Sequence, residues 1–278
     1  MGATVPDMAP TAPGTAVRRR SSLVHVFSAG ALIGVLGGLI GLGGAEFRLP
    51  LLIGMFGFAA LHAVVLNKAM SLVVVSTALP ARLFALPFGD LAEHWSIAAN
   101  LLAGSLLGAW LGAGWATRMH SRTLYRVLGA LLVVVAAALA ASHLTDLGHL
   151  DLTPWVRVIV AVAAGIGIGV VAALMGVAGG ELLIPTIVLL FGVDIKLAGS
   201  LSLLVSLPTM LVAFARYRRD RSFDVLRANT RFVLTMVAAS IVGTVIGGLL
   251  LGVIPGAALI PALTALLLIS AVKVWRHR

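Results

Sequence analysis

The chain has 278 residues, of which 60% are hydrophobic and only 11% are charged, and its mean hydropathy is +1.09. A soluble domain needs about a quarter of its residues charged, so this composition excludes a soluble globular protein and predicts an integral membrane protein. The net charge of +10 comes from basic loops between apolar runs, which fits orientation in a membrane better than nucleic-acid binding, and the absence of cysteine excludes disulfides and thiolate chemistry.

The first half of the chain is predicted at residues 22–142, after a disordered tail over residues 1–21. Three arginines, Arg18 to Arg20, precede the first apolar run, Leu23 to Gly43, as the basic segment of a signal peptide would. Because this run is long and has an equivalent in mid-chain, we interpret it as part of the membrane domain. The apolar segments after it are Leu49–Ala60, which is short, Ala69–Phe88, which contains Pro80 and Pro87, Trp95–Ala116 and Leu124–Ala141.

The second half, residues 155–278, repeats this layout after a linker over residues 143–154. Its apolar segments are Trp155–Val177, a short piece from Glu181 to Gly192, Leu197–Ala215, Phe232–Val253 and Ala257–Val274. A helix needs about 20 apolar residues to cross a hydrocarbon core of about 30 Å. The sequence therefore predicts an all-α polytopic membrane protein, with about five hydrophobic segments in each half and about 8–10 transmembrane helices.

A glycine-rich motif that contains a glutamate occurs once in each half. The first copy is Gly41-Leu42-Gly43-Gly44-Ala45-Glu46-Phe47-Arg48-Leu49-Pro50, and the second is Gly176-Val177-Ala178-Gly179-Gly180-Glu181-Leu182-Leu183-Ile184-Pro185. Both copies share one offset, because 176 − 41 and 185 − 50 equal 135. The same offset relates residues beyond the motif, such as Ser105 and Ser240, so the chain contains an internal duplication.

The charges of equivalent loops indicate that the two halves cross the membrane in opposite senses. The loop near Asp90 and Glu93 is acidic, whereas its equivalent, Arg216 to Arg231, is strongly basic. The basic loop Arg118 to Arg126 is equivalent to Val253 to Pro261, which has no charge. Because basic loops stay on the cytoplasmic side, this pattern predicts two inverted repeats in the inner (plasma) membrane, with both termini cytoplasmic. Inverted repeats with broken helices are typical of secondary transporters.

The glycines and prolines of the two motifs predict a backbone that leaves helical geometry inside the membrane. They are Gly41, Gly43, Gly44 and Pro50 in the first copy and Gly176, Gly179, Gly180 and Pro185 in the second. Irregular backbone at that depth survives only where it is buried or lines a cavity. A helix that restarts after such a break directs N–H groups and a positive dipole end at the gap, which suits an anion. Close helix packing is the alternative; duplication together with a glutamate favours a substrate site.

The two motif glutamates, Glu46 and Glu181, are candidates for a proton or cation carrier coupled to transport. Each would cost about 2.5 kcal/mol or more if it were ionised and unpaired at the centre of the bilayer. The alternatives are a carboxyl that caps the N-terminus of the broken helix, or a pair between Glu46 and Arg48. Arg48 has no counterpart, because Leu183 occupies its position in the second copy, and we expect it at the interface between the halves.

Polar residues follow each short segment and complete the predicted substrate-binding set. They are Asn67, Lys68 and Ser71 in the first half and Ser200, Ser202 and Ser206 in the second. Lys68 either faces a cavity and binds an anion or extends its amino group toward the membrane surface. The hydroxyls either donate to an oxyanion or bond back to their own helix.

Other patterns do not indicate chemistry. Glycines four residues apart, Gly104, Gly108 and Gly112, and Gly243 with Gly247, predict helix-packing faces. We interpret His143, Asp146, His149 and Asp151 as a solvated linker rather than a metal site. With no nucleophile–base set and no ATP-binding motif, the sequence predicts neither an enzyme nor a cofactor.

The two motifs resemble those of the sulfite exporter TauE/SafE family. The similarity rests on Gly41-Leu42-Gly43-Gly44 with Pro50, on Gly176 through Gly180 with Pro185, and on Ala198-Gly199-Ser200-Leu201-Ser202. It implies a plasma-membrane secondary transporter of small sulfur-containing anions such as sulfite, sulfoacetate or thiosulfate. Ala45 and Ala178 stand where the family motif commonly has glycine, and glutamate occupies both copies.

The sequence thus predicts a carrier that exports a small sulfur anion, with protons as the coupling ion and lipid around it. The anion is expected between the two broken segments, where Glu46 and Glu181 exchange protons with the cavity. Two other functions stay open: a cation or metal transporter whose paired carboxylates bind the cargo, and a membrane scaffold that transports nothing.

Overall fold

α-Helices make up almost all of the residues that the computed structural model describes, which are 22–40, 44–85, 93–144, 150, 152–219, 224–250 and 256–276. In chain order they are α1 (Leu23–Ile40), α2 (Ala45–Gly54), α3 (Ala60–Ala85), α4 (Trp95–Arg118), α5 (Ser121–Leu144), α6 (Pro154–Met175), α7 (Gly180–Phe191), α8 (Ile195–Arg219), α9 (Asp224–Ala228), α10 (Thr230–Leu250) and α11 (Gly256–Trp275). No strand occurs within those ranges, and the predicted all-α polytopic fold is confirmed. The predicted tail, Gly41, Gly43 and residues 145–149 and 151 of the predicted linker lie outside them.

The short second segment of the first half begins earlier than the sequence predicts. α2 runs from Ala45 to Gly54, whereas the apolar pattern placed this segment at Leu49–Ala60. Pro50 therefore lies in the middle of the helix instead of at its start, and Pro185 lies inside α7. Both prolines fall within the first two turns, where the missing N–H removes one hydrogen bond without ending the helix.

Five of the described helices are long and apolar enough to cross a membrane. They contain the stretches Trp95–Arg118, Ser121–Ala138, Pro154–Met175, Leu197–Arg218 and Thr230–Gly247. Shorter apolar stretches lie in α1, α3, α7 and α11. At 1.5 Å per residue, α2 is about 15 Å long and α7 about 18 Å, so each is shorter than a hydrocarbon core of about 30 Å.

The two halves are interlocked. The most extensive helix contacts are those of α1 with α10 and of α6 with α4, so the first helix of each half packs on the other half. The offset of 135 residues converts one of these contacts into the other, and it likewise relates the contact of α2 with α11 to that of α7 with α5. The duplication is therefore expressed in the packing as a pseudo-two-fold arrangement.

Glycines let the interlocked helices approach until their backbones touch. A methyl group added at Gly34 would overlap the carbonyl group of Ser240, and one added at Gly169 would overlap the carbonyl group of Ser105. These contacts are equivalent at the same offset. The predicted packing faces are confirmed for Gly104, Gly108 and Gly112 against α6 and for Gly243 against α1, and Gly247 is buried.

Replacing Gly169 with alanine should destabilise the protein, whereas the same change at Gly167 should not. No atom lies within 4 Å of the position that a Cβ would take at Gly167, but a Cβ at Gly169 collides with the backbone of α4. We expect Gly169→Ala to lower the thermal midpoint of the purified protein by about 3–10 °C, the effect of overpacking. Gly167→Ala, in the same helix, is the matched control; equal midpoints for the two variants would contradict this packing.

The basic loops gather at one end of the helix bundle. Four contacts join the helix ends there. The start of α3 meets the start of α5, because the N–H of Ala60 donates to the Tyr125 hydroxyl at 3.2 Å, and the loop after α2 meets the start of α10, where the rings of Phe56 and Phe232 lie edge to face at 4.9 Å. The end of α2 lies against the Lys273 side chain of α11 at Gly54, and the Arg216 guanidinium of α8 lies 5.2 Å from the Trp110 ring centroid of α4. This end, which we call the basic end, carries Arg118, Arg122, Arg126, Arg216, Arg218, Arg227, Arg231, Lys273 and Arg276. Among the described residues, the opposite end carries Glu93, Asp194 and Arg157.

The first helices of the two halves start at opposite ends of the bundle. α1 runs parallel to α10, because Gly30 faces Met236 and Gly34 faces Ser240. Since α10 begins at the basic end, α1 also begins there. α6 runs parallel to α4 through equivalent contacts, and both begin at the opposite end. The predicted inverted repeats are confirmed.

Candidate functional site

The first broken segment lies between α1 and α2. Gly44 precedes α2 with φ 70°, a left-handed conformation that glycine adopts without strain. A Cβ there would also collide with the carbonyl group of Ile33, so both conformation and space require glycine. No side chain caps α2, and the first N–H groups of a helix have no partner within it. Gly41 and Gly43 lie outside the described residues.

The second broken segment repeats this geometry between α6 and α7. Gly176 ends α6 with φ 72°, and Gly179 precedes α7 with φ 86°. Gly179 is the equivalent of Gly44, and Gly180 is the first residue of α7. A Cβ at Gly176 would overlap the carbonyl group of Val64 in α3, so α3 packs directly against the break. The predicted interruption of helical geometry is confirmed at these three glycines.

Each proline of the motif leaves a backbone acceptor open beside a glutamate. Pro50 follows Glu46 by four residues, and Pro185 follows Glu181 by four. In a helix, the residue four positions on donates its N–H to a given carbonyl, and proline has no N–H to donate. The carbonyl groups of both glutamates therefore lack their helical donor.

The two glutamates differ in their surroundings. Glu46 is 2% exposed, and neither of its carboxyl oxygens has a hydrogen-bond partner. Glu181 is only partly buried, although its Oε1 is buried without a partner. Glu46 accepts no hydrogen bond of good geometry from the first turn, but its carboxyl interacts with its own backbone N–H there, so the capping alternative stays open.

Arg48 lies at the interface between the halves, as the sequence analysis expects. Its side chain is fully buried, and it donates from Nη1 to the Ser71 hydroxyl at 3.2 Å and from Nη2 to the Ser240 hydroxyl at 3.3 Å. Ser71 belongs to the first half and Ser240 to the second. Arg48 interacts electrostatically with Glu46, but the unpartnered oxygens of Glu46 show that the two groups form no hydrogen-bonded pair.

Asn67 of α3 connects the two broken segments. Its Nδ2 donates to the carbonyl oxygen of Ala45 at 2.9 Å and to that of Met175 at 3.2 Å. Ala45 opens α2, and Met175 closes α6. One side-chain amide thus holds the end of the first break beside the start of the second break, while its buried Oδ1 has no partner.

Lys68 caps the broken end of α6. Its Nζ donates to the carbonyl oxygens of Ala172 at 2.7 Å and Val177 at 2.8 Å, and its side chain is fully buried. The hydroxyl of Tyr217 donates to the next carbonyl, that of Ala173, at 2.9 Å. The last carbonyls of a helix need such donors, and a cation suits its negative end. The alternative in which Lys68 extends to the membrane surface is excluded by its burial; anion binding by Lys68 stays a prediction.

The predicted serines have different surroundings. Ser71 accepts from Arg48, whereas Ser202 bonds back to the carbonyl of Gly199 at 2.8 Å in its own helix. Ser206 is buried, and its hydroxyl has no partner among the described residues. Ser200 is fully buried. The structure thus brings Asn67, Lys68 and Ser71 to the breaks.

The chain matches the model of the sulfite exporter TauE/SafE family over residues 4–139 and 155–278. It belongs to that family. No curated protein and no solved structure matches it. TauE/SafE proteins are membrane transporters of sulfur-containing anions, which agrees with the polytopic fold, and the family resemblance of the two motifs is confirmed.

Three residues around the breaks of this TauE/SafE protein were not among the predicted binding residues. They are Arg48, Ser240 and Tyr217. An arginine inside an apolar segment is a signal for Arg48, because ionisable residues within membrane segments are rare and functional. The sequence held no comparable signal for the other two residues. Ser240 stood out only as the duplicate of Ser105, and Tyr217 lies within a run of arginines that is typical of a loop.

Proposed function

We propose that this TauE/SafE protein is a proton-coupled secondary transporter that exports a small sulfur-containing anion, such as sulfite, sulfoacetate or thiosulfate. The observation that carries the proposal is the burial of Glu46, Arg48 and Lys68 beside two broken segments that Asn67 joins. Three ionisable side chains buried within a membrane domain are costly and mark a transport pathway. Broken segments from two inverted repeats are where secondary transporters bind substrate.

The anion is proposed to bind between the broken segments. The N-termini of α2 and α7 supply backbone N–H groups and the positive ends of their helix dipoles. The proposed binding set consists of Gly41, Gly43, Gly44, Glu46, Pro50, Asn67, Lys68 and Ser71 from the first half and Gly176, Gly179, Gly180, Glu181, Pro185, Ser200, Ser202 and Ser206 from the second. Glycine at the breaks lets the anion approach the backbone, and the side chains of α3 and α8 surround it.

Glu46 and Glu181 are proposed to carry the coupling proton. The unpartnered carboxyl oxygens of Glu46 support this role, because a carboxyl held by structural hydrogen bonds would not be available for proton exchange. Glu181 occupies the equivalent position and is partly exposed. Alternating access between inverted repeats would open one carboxyl and then the other.

Flux in proteoliposomes tests this function. Wild-type protein should move labelled sulfite when a pH gradient is imposed, and the double variant Glu46→Gln/Glu181→Gln should lose that gradient-driven flux. If the double variant keeps the gradient-driven flux, both glutamates have only a structural role. Absence of flux for sulfite, sulfoacetate and thiosulfate in the wild type would contradict the anion assignment.

A cation or metal transporter is the second candidate, since unpartnered carboxyl oxygens such as those of Glu46 are acceptors that a cation would fill. Across the described part of the chain, however, no three His, Asp or Glu residues lie together. Uptake of a divalent cation that Glu46→Gln abolishes, with no sulfite flux, would favour this candidate.

We also propose that the basic end of the bundle faces the cytoplasm of the inner membrane, where both termini then lie. The chain has no cysteine, so single-cysteine variants need no prior substitution. In right-side-out vesicles, an impermeant maleimide should label Glu93→Cys at once and Arg126→Cys only after permeabilisation. The reverse pattern would contradict this orientation. Both positions are exposed, so the accessibility of the side chain itself does not differ.

A further inference from the structure

The two halves differ at one buried position that the duplication makes equivalent. Arg48 lies on α2, and Leu183 takes its place on α7. Both side chains are buried, with Arg48 0% and Leu183 1% exposed. The first half therefore carries a guanidinium where the second carries a hydrocarbon.

The hydroxyls that hold Arg48 are present in both halves. Ser71 and Ser240 accept from its two terminal nitrogens, and their equivalents are Ser206 and Ser105. In this equivalent pair, Ser105 of the first half bonds instead to Thr209 at 2.7 Å, and the Ser206 hydroxyl has no partner among the described residues. The pair of serine hydroxyls is therefore duplicated, but only the pair beside α2 holds an arginine.

We propose that Arg48 is the anion-binding residue of the transport site, so that the substrate anion lies between the two broken segments but nearer to α2 than to α7. This assignment rests on the proposed transport of a sulfur oxyanion. A guanidinium presents parallel N–H donors that match two oxygens of a sulfite, sulfonate or thiosulfate group. The broken start of α2, four residues before Arg48, adds backbone donors on the same segment.

The charges around Arg48 favour an anion. Two cations, Arg48 and Lys68, are fully buried near the breaks, and Glu46 is the buried acid beside them. Lys68 is directed at backbone carbonyls of α6, and Glu46 hydrogen-bonds neither cation. The hydroxyls that hold Arg48 are neutral. Glu46 interacts electrostatically with Arg48, but the buried charges among the described residues are two cations and one acid, so an oxyanion at Arg48 would balance the remaining positive charge.

Calorimetric titration of the purified protein with sulfite and with thiosulfate tests the assignment. Arg48→Gln should weaken binding about 100-fold, the effect of removing one partner of a buried charge pair. Arg48→Lys, which keeps the charge but loses the two parallel donors, should weaken it about 10-fold. Arg122→Gln, at an exposed arginine of the basic end, is the matched control and should bind as the wild type does.

A structural role for Arg48, as a counter-charge for Glu46, predicts a different result. In that case Glu46→Gln/Arg48→Gln should bind sulfite as tightly as Glu46→Gln alone, because both charges are removed together. Our assignment predicts that the double variant still binds about 100-fold more weakly. If Arg48→Gln does not fold, the ratio of Arg48→Lys to wild type decides, and an unchanged affinity overturns the assignment.

Failure of this assignment differs from failure of the proposed function. A wild type that binds and transports sulfite, with an Arg48→Gln variant that binds equally well, overturns the role of Arg48 alone. A wild type that binds none of the sulfur anions overturns both.

Discussion

Replacing Lys68 with methionine should lower the thermal midpoint of the protein by about 5–10 °C and abolish gradient-driven flux. Methionine fills similar space but cannot donate to the carbonyl oxygens of Ala172 and Val177, which Lys68 reaches at 2.7 and 2.8 Å. The Ala172 carbonyl keeps the N–H of Val177 at 3.1 Å, whereas the Val177 carbonyl loses its charged donor. A hydrogen bond to a charged group contributes about 1.5–3 kcal/mol.

Lys68→Met also removes a buried positive charge, and this part of the change by itself favours the folded state. Removing a whole buried pair can be neutral or even stabilising, but removing one partner leaves the other without compensation. Here the carbonyl acceptors remain, and the φ of 72° at Gly176 prevents them from rejoining a helix. We therefore expect net destabilisation.

Lys273→Met is the matched control, because Lys273 is exposed at the basic end. It should leave both the thermal midpoint and the flux unchanged. A Lys68→Met variant as stable as the wild type, with weaker sulfite binding, would contradict the capping role and assign Lys68 directly to the substrate.

The internal duplication is the part of this fold that sequence reasoning predicts best. One offset identified Gly44 with Gly179 and Ser105 with Ser240, and the structure places the backbone of each pair in equivalent packing. Loop charges then gave the inverted orientation. These signals succeed because a repeated pattern carries information about packing even where each helix alone is uniformly apolar.

The partners of buried polar groups could not be predicted. Lys68 meets carbonyls more than 100 residues away, at Ala172 and Val177, and backbone acceptors leave no mark in the amino-acid sequence. The start of α2 was misplaced for a related reason. Glycine and proline disfavour a helix by local propensity, yet both are tolerated at the start of a helix, where an acidic residue such as Glu46 is favourable.

A second large effect on transport should come from a single substitution, Glu46→Gln. Glutamine keeps the size and polarity of the side chain but cannot gain or lose a proton. Glu46 is 2% exposed and neither of its carboxyl oxygens has a hydrogen-bond partner. If Glu46 carries the coupling proton, net flux driven by a pH gradient should fall about 100-fold, the effect of losing a group that acts in proton transfer.

Exchange of sulfite for sulfite should survive the same substitution. Exchange requires the loaded carrier to reorient, but it does not require the carboxyl to release its proton. Glutamine imitates the protonated carboxyl, so labelled sulfite inside the vesicles should still exchange with unlabelled sulfite outside. Loss of net flux with retention of exchange separates a coupling residue from one that simply binds substrate or holds the fold, since either of those would reduce both.

Glu181→Gln should have a smaller effect on net flux than Glu46→Gln. The two positions are equivalent by sequence, but Glu181 is partly exposed and Arg48 has no counterpart beside it. Removing the charge of a partly exposed carboxyl changes a group that is less desolvated than Glu46. Glu93→Gln, at an exposed acid of the opposite end, controls for loss of negative charge and should transport as the wild type does. Equal losses for Glu46→Gln and Glu181→Gln would contradict this asymmetry and indicate that both carboxyls titrate in every transport cycle.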